Sequence, residues 1–383
     1  MFYNLTMKAY ILAVDLGTSF VSAAVVARSA QNPLRYSLVK TFRYPLNLVG
    51  FALEDAKTAG GGTNAASSPV TRLPQVFRNA FLKIFRETHG IVRRLDAVLL
   101  GLADPFFIEA KFSKKISRKD PKSKITRAEF ADVLNELENT AKHQYNSLLP
   151  VSSEILSVKI NGYDVDVNGA EGYFGKTLEI EAALTFVTPL LMDFFNDAKE
   201  KFFPHSPIRY FSDARILRRA LPKNSKPSAV ISVDGEFTSV FYLDQAGLSY
   251  AGIVSFGLGT LARRLASAFK TSPEEASSLF KQYLDGAMEE SREKKVRTAL
   301  ESAEADWWAL LQDCLKSARF KPPQKFILTG RESNPPGLTQ FFKKNFESFY
   351  GAPVAEETLE KNSLSKNLNY NPFLTGLITL FPW

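Results

Sequence analysis

Two stretches of this chain share one pattern, in which an apolar strand ends at an aspartate, a glycine turn follows and a second apolar strand begins. The first is ILAVDLGTSFVSAAVV at residues 11–26, and the second is AVISVDGEFTSVFYLD at residues 229–244. A third strand and then a helical pattern follow each copy. Strands that alternate with helices in two similar blocks predict an α/β fold built from two related domains.

The turns of these two hairpins have the chemistry of a phosphate site. A hairpin tip exposes backbone N–H groups, and glycine lets the backbone approach an anion closely. A neighbouring aspartate can hold Mg²⁺ directly or through its waters. A third glycine turn, LTGRES at residues 328–333, comes late in the chain. One such turn alone is equally consistent with an ordinary hairpin, whereas three in this order favour a shared cleft between two domains.

With these motifs the chain resembles the actin-like ATPase superfamily. VDLGTS (14–19) matches the first phosphate motif of that superfamily, ISVDGEFTS (231–239) lies at the second, and ILTGRES (327–333) lies at the adenosine motif. Within the superfamily the chain is most similar to the FtsA family of bacterial cell-division proteins. The PilM family of type IV pilus assembly proteins is a near relative.

An insertion between the third strand of the first domain and its next helix carries the likeness to FtsA. KITRAEFADVL (124–134) resembles the entry to the helix of the FtsA 1C (SHS2) subdomain, and its Thr126 and Glu129 predict a capping box. Later, FGLGTLARRLASAFKTSPEEASSLFKQY (256–283) follows another FtsA pattern, with a capping box at Ser272 and Glu275. The resemblance implies a two-domain actin-like (ribonuclease H-like) fold with an inserted α+β subdomain.

The resemblance also implies a division of the chain. The first actin-like domain takes residues 7–104 and 186–227, together with 362–383. The inserted subdomain takes residues 105–185. The second actin-like domain takes residues 228–270 and 320–361, and a small helical subdomain takes residues 271–319. Residues 57–71 are small and polar, and they predict a loop.

The cofactors that the resemblance implies are ATP and Mg²⁺. Asp15 and Asp234 would hold the metal through its waters. The implied nucleotide-binding residues are Asp15, Gly17, Thr18, Ser19, Asp234, Gly235, Thr238, Gly257, Gly259, Gly330 and Ser333. No residue stands out as a catalytic base, so we expect at most a weak ATPase.

Three departures from the family pattern predict a degenerate nucleotide site. Glu236 and Phe237 stand where the second phosphate motif has glycines, and Arg331 replaces the second glycine of the adenosine motif. A carboxylate about 4 Å from a phosphate charge costs about 4 kcal/mol at an effective dielectric of ~20. Phe237 also restricts the approach of the backbone. We therefore expect nucleotide to act as a conformational switch rather than as a fuel.

Composition narrows the location of the protein. A single cysteine, Cys314, excludes a disulfide framework and fits a reducing compartment. No signal peptide and no apolar run of membrane-spanning length is evident, so we expect a cytoplasmic protein, peripheral to the inner face of the membrane. The usual C-terminal amphipathic helix of FtsA has no counterpart in residues 371–383, which predicts indirect membrane association. The net charge of +8 is modest, and we expect no nucleic-acid partner.

The basic segment 111–127 has two interpretations, a solvated loop or a contact with anionic lipid. Trp307 and Trp308 lie in a helical pattern and are predicted to pack in a core.

The leading functional hypothesis is an FtsA-like scaffold in bacterial cell division that forms a homo-oligomer or polymer. Its partner would be a tubulin-like division protein or, for a PilM-like pilus assembly protein, a pilus inner-membrane protein. A nucleotide-free interaction module is another alternative. A small-molecule kinase of the same superfamily is the last. Asp104 after the strand AVLLGL has the position of a base for it, but the FtsA-like insertion begins there.

Overall fold

The structure is a computed structural model that describes most of the chain. It describes residues 9–28, 36–46, 75–221, 226–245, 247–284, 286–318, 321–331, 336–351, 353, 355–357 and 373. The loop predicted at residues 57–71 and the candidate nucleotide residue Ser333 lie outside these ranges. So does all of segment 362–383 except Phe373.

The helices and strands of the described residues follow the alternation that the sequence predicts. The strands are β1 Tyr10–Leu16, β2 Phe20–Arg28, β3 Tyr36–Pro45, β4 Ala97–Leu102, β5 Ile108–Ser117, β6 Leu149–Ile160, β7 Tyr163–Val165, β8 Thr177–Val187, β9 Ile208–Ser212, β10 Ser228–Val233, β11 Thr238–Asp244, β12 Gly247–Val254, β13 Lys325–Gly330 and β14 Ala355–Glu357. The helices are α1 Gln75–Ile91, α2 Arg127–Gln144, α3 Pro189–Phe202, α4 Asp213–Ala220, α5 Leu258–Phe269, α6 Pro273–Leu284, α7 Glu290–Ser317 and α8 Pro336–Tyr350.

Two sheets of five strands repeat one topology. The first has the order β3-β2-β1-β4-β9 and the second the order β12-β11-β10-β13-β14. In each sheet the first two strands of the repeat form an antiparallel hairpin, and the later strands run parallel to the first strand of that hairpin. The repeated sequence pattern is therefore a repeated fold, and each copy of the glycine turn caps the carboxyl end of a central strand.

Helices cover one face of each sheet. Helices α1 and α3 pack on the first sheet, where Phe77, Phe81, Phe85 and Phe195 are fully buried or nearly so. Helices α5 to α8 pack on the second sheet, and Trp307 and Trp308 lie in that core as predicted. Their aromatic rings stack closely, as Trp307 does on Phe256 with ring centroids 5.2 Å apart.

The other faces of the two sheets meet in a common apolar core. Side chains of β1, β2 and β4 share this cluster with side chains of β10, β11 and β13. Helix α4 lies between them and contributes Ala214, Ile216 and Leu217. The two domains are thus joined by buried apolar surface and not only by a hinge.

The inserted subdomain is a sheet of order β5-β8-β6-β7 with α2 on one face. The capping boxes predicted at Thr126 and Ser272 are both present. The prediction of a loop at residues 111–127 is wrong for its first part, because β5 continues to Ser117. Alternate side chains of β5, such as Phe112 and Ile116, pack toward the core with α2, and this alternation leaves lysines on the other face.

Candidate functional site

The predicted cleft lies where the carboxyl ends of β1, β10 and β13 meet the first turn of α4. Parallel strands of one sheet end at the same edge, so the turns after β10 and β13 are neighbours. The common core brings the turn after β1 against them from the other domain. Asp15, Thr18, Ser19, Asp234 and Gly235 therefore come together, as the sequence predicts.

Arg331, the residue that replaces a glycine of the adenosine motif, occupies the centre of this cleft. Its guanidinium binds Asp15 of the first domain, with Nε 3.1 Å from each carboxylate oxygen and Nη2 3.0 Å from Oδ1. It also binds Asp213 at the start of α4, at 2.6 and 3.0 Å. Its Nη1 lies 3.6 Å from Oδ2 of Asp234 in the second domain. Only 2% of Arg331 is exposed, so this is a desolvated cluster.

Phe373, the one described residue of the C-terminal segment, completes the surroundings of Arg331. Its ring centroid lies 4.3 Å from Cζ of the guanidinium. A cation held over an aromatic face at this distance is stabilised by the ring quadrupole. The segment that was expected to close the first domain thus places an aromatic ring at the cleft.

The two phosphate-type turns bind each other directly. The backbone N–H of Thr18 donates to Oδ2 of Asp234 at 2.8 Å. In return, the backbone N–H of Glu236 donates to the hydroxyl of Thr18 at 3.0 Å. These are the donors that a phosphate would use, and here protein oxygens already accept from them.

Glycine in both turns allows close packing between segments of this chain. A Cβ added at Gly235 would collide with Cβ and Oγ of Ser19. A Cβ added at Gly17 would lie 2.5 Å from Cδ of Arg331. Both glycines therefore allow the two turns and the arginine to pack without a gap.

The second turn is also built into its own domain. Its backbone carbonyls at Asp234 and Gly235 accept from Leu258 and Gly259 at 3.0 and 2.7 Å. The first backbone N–H groups of α5 are thus hydrogen-bonded to the turn and are not available to an anion. Gly257 is needed there because a Cβ would collide with the carbonyl of Asp234. Gly330 ends β13, paired with Val233.

Glu236 does not point its charge at the cleft. Arg263 of α5 binds it through two hydrogen bonds of 2.7 Å, one to each carboxylate oxygen. The sequence predicts repulsion between this carboxylate and a phosphate. In the structure the charge of Glu236 is instead paired with Arg263, which no sequence pattern indicated.

Thr238 lies in the core of the second domain. Its hydroxyl donates to the carbonyl of Phe256 at 2.7 Å and accepts from Nε1 of Trp307 at 3.1 Å. Phe237 before it is buried. The structure therefore places Thr238 with the indole of Trp307 and not with the residues that face Arg331.

Two of the buried aspartates near Arg331, Asp104 and Asp213, have raised pKa values. Burial raises the pKa of Asp104 to about 7, although a hydrogen bond with Ser239 and the charge of Arg331 both act to lower it. One of its oxygens, Oδ2, has no hydrogen-bond partner among the described residues. Burial raises the pKa of Asp213 to about 8, against the lowering effect of Arg331.

Arg331 itself remains a cation. Burial lowers its pKa, but the charges of Asp15, Asp213 and Asp234 outweigh that effect and raise it well above its usual value. One guanidinium cannot neutralise four buried carboxyl groups, so part of the cluster holds protons near neutral pH. The pKa of Asp213 rises because of burial, whereas that of Arg331 rises because of the carboxylates around it.

The residues present do not fit Mg²⁺-ATP in this arrangement. Phosphate groups cannot lie between a donor and an acceptor that are 2.8 Å apart, and Arg331 takes the place next to Asp15 and Asp234 where a metal was expected. Within the described ranges, no group of three or more His, Cys, Asp and Glu side chains is arranged to hold a metal ion.

Sequence reasoning found the turns but missed the residues that fill them. Arg331 was recognised as a departure from the adenosine motif, and Asp213 was not singled out. The signal for Asp213 was its place directly after Ser212, which caps α4. An arginine in a glycine position, together with an unexplained acidic residue at a helix start, is the pattern that would have indicated an internal ion pair.

Comparison with known proteins gives a fold and no family. No protein-family model matches the chain, and no curated protein matches it significantly. The PilM–PilN type IV pilus biogenesis complex contains a similar structure, with a TM-score of 0.57, 12% identity and coverage of 98% of this chain and 100% of the other. A Bacteroides thetaiotaomicron protein with an actin-like ATPase fold and unknown function covers 100% of both chains at 12% identity, with a TM-score of 0.46.

The topology and the similarity to the PilM structure agree. The described residues form two related sheets with the hairpin repeat, and the likeness to the PilM structure extends over 98% of the chain. The chain therefore has the actin-like fold.

Proposed function

We propose that this chain is an actin-like scaffold of the bacterial cell envelope whose two domains are held closed by Arg331 rather than by Mg²⁺-ATP. The observation that carries the proposal is the bridge from Arg331 to Asp15, Asp213 and Asp234. In a nucleotide-dependent relative, the ligand would favour one domain orientation. Here the protein supplies the bridging charge itself.

A scaffold of this kind works by presenting surfaces to partners from a fixed framework. The similarity to the PilM–PilN complex supports a role like that of a pilus assembly protein at the cytoplasmic face of the membrane, with an inner-membrane protein as partner. The FtsA-like role in division, with a tubulin-like partner and self-assembly, is the leading hypothesis from the sequence, and it uses the same framework. A kinase role for Asp104 is not supported, because Asp104 is buried beside the cluster.

The test is a titration of the full chain with ATP and Mg²⁺ by calorimetry, carried to millimolar nucleotide. We expect no saturable heat and no change in the unfolding temperature. Saturable binding in the micromolar range would overturn the proposal. Phosphate release assays at the same concentrations should stay at the buffer rate.

The partner is tested separately. The full chain is immobilised and exposed to two peptides, the C-terminal tail of a division tubulin and the cytoplasmic segment of a pilus inner-membrane protein. We expect capture of the pilus segment. Capture of the tubulin tail instead would assign the division role, and it would leave the arginine bridge untouched.

A further inference from the structure

The distal end of the inserted subdomain carries an exposed aromatic group that the scaffold role does not explain. We define the tip as the turn 118–125, the hairpin 160–163 and the loop 166–176. Within the described residues, the three most exposed large apolar side chains all lie there. They are Tyr163 at 77%, Phe174 at 55% and Tyr173 at 52%.

The three aromatic residues lie on adjoining segments at the same end of the subdomain. Tyr163 pairs with Ile160 across the hairpin. The loop that carries Tyr173 and Phe174 lies against that hairpin, since a Cβ added at Gly175 would lie 2.5 Å from Cγ2 of Ile160. Asn161 fixes the contact by accepting the backbone N–H groups of residues 176 and 177 at 2.7 and 3.2 Å.

The tip is rigidly built beneath these exposed rings. The buried guanidinium of Arg118 donates to the carbonyls of Ser123, Lys124 and Gly175 at 3.0 to 3.2 Å. It also binds both carboxylate oxygens of Glu129 at 2.8 and 3.2 Å. The backbone beneath the exposed aromatic side chains is therefore held in place, so binding through them needs little ordering of the backbone.

Lysines surround the aromatic residues. Lys124 forms a β-bridge with Phe174, and Lys176 follows two residues later. Lys119 and Lys122 lie on the same turn, and all four side chains are exposed. No salt bridge among the described residues involves any of the four.

The acidic residues of the tip are largely engaged within it. Asp120 and Asp166 each accept the backbone N–H two residues further on, at 3.0 and 2.7 Å. Asp164 lies 4.0 Å from Lys159. Asp120, Asp166 and Glu171 are all exposed and keep their negative charge. The four exposed lysines of the tip outnumber these carboxylates by one, and the backbone N–H groups bound to Asp120 and Asp166 hold two of the three carboxylates against the tip.

We propose that this tip docks on an anionic phospholipid surface, with Tyr163, Tyr173 and Phe174 at the headgroup level and the lysines on the lipid phosphates. Aromatic side chains favour the membrane–water boundary, and long lysine stems let the charge reach the headgroups while apolar atoms stay covered. A juxtamembrane lysine contributes about fivefold in binding to an anionic surface. This proposal goes beyond the scaffold role and does not depend on the arginine bridge.

The test is co-sedimentation of the full chain with phosphatidylcholine vesicles, with and without phosphatidylglycerol. We expect partition only onto the anionic vesicles, weakened by salt. The triple variant Tyr163→Ser, Tyr173→Ser, Phe174→Ser should lose at least tenfold in partition. Its control substitutes serine for three exposed apolar residues elsewhere, Val39, Leu190 and Leu310, and should bind as the unmodified protein does.

A charge variant separates the two contributions. Lys122→Glu, Lys124→Glu, Lys176→Glu should abolish anionic selectivity, whereas the same reversal at Lys294, Lys295 and Lys343 should reduce binding far less. Equal binding to neutral vesicles, no binding to either, or an aromatic variant that binds normally would overturn the proposal. Light scattering gives one more outcome that would overturn it. If the unmodified protein self-associates without binding vesicles, and the aromatic variant does not self-associate, the occupant of the tip is a second copy.

Discussion

The two glycine turns have nearly the same sequence pattern and opposite roles. The first, at residues 15–19, directs its groups across the cleft, where Asp15 binds Arg331 and Thr18 binds the second turn. The second, at residues 234–238, forms most of its hydrogen bonds within its own domain, with α5 and with Trp307. The first copy therefore keeps the form of a ligand loop, and the second has become a structural turn that receives it.

This difference shows that two copies of one turn can make different contacts within one fold. The cleft still needs a positive charge beside Asp15 and Asp234, and an arginine from the third turn supplies it. Each prediction below removes one part of that arrangement, and they run from the largest expected effect to the smallest.

Substitution of Arg331 by Leu should have the largest effect. It leaves buried carboxylates without their cation, and loss of one partner from a buried ion pair costs about 3–5 kcal/mol. The free energy of unfolding from urea denaturation should fall by that amount. The control is Arg263→Ala, which breaks the half-exposed pair with Glu236 and should cost at most about 1 kcal/mol. Similar losses in the two variants would contradict the central role of Arg331.

Asp104 should make stability depend on pH. Its pKa is about 7 in the folded protein and 3.8 as the ordinary value, so the folded state keeps a proton that the unfolded state has lost. The stabilisation is complete below pH ~4 and is lost as the pH rises to about 7, by up to about 1.4 kcal/mol per pH unit.

The variant Asp104→Asn removes this titration. From pH 4 to pH 8, the unfolding free energy of the unmodified protein should therefore fall by about 4 kcal/mol relative to that of the variant. Urea denaturation at four pH values measures it. A constant difference across that range would show that Asp104 is ionised throughout.

Gly235→Ala should force the two turns apart. The added methyl group collides with Ser19, and overpacking of this kind costs about 1–3 kcal/mol. The double variant with Ser19→Gly should recover part of the loss, because the colliding side chain is then absent. Gly90→Ala is the matched control, since nothing lies within 4 Å of its added Cβ. No recovery in the double variant would count against direct contact of the turns.

Thr238→Val should give a loss no larger than that of Gly235→Ala, without any change in nucleotide behaviour. It deprives the indole N–H of Trp307 of its acceptor, which costs about 1–3 kcal/mol when the group stays buried. Tryptophan fluorescence should report the altered surroundings of Trp307. A change of nucleotide affinity with unchanged stability would instead return Thr238 to the ligand site.

Local pattern was sufficient for the fold and insufficient for the site. The turns, the capping boxes and the buried tryptophans follow from residue type and spacing within short windows. The bond between Arg331 and Asp15 joins residues 316 positions apart, and no local rule specifies which distant charge an arginine will meet. Strand β5 was missed for a related reason, because its lysines hide the alternation of Phe112 and Ile116.

The apolar cluster shared by the two sheets has a consequence for how this protein unfolds. Separation of the domains would expose Phe241, Ile327 and their partners around α4 to water. Unfolding of one domain alone would therefore leave this apolar surface of the other domain exposed, which is unfavourable. Calorimetry should therefore show one cooperative transition for both domains. Amide exchange in β1 and β10 should be governed by the same global opening, with the inserted subdomain, which has a core of its own, free to exchange independently.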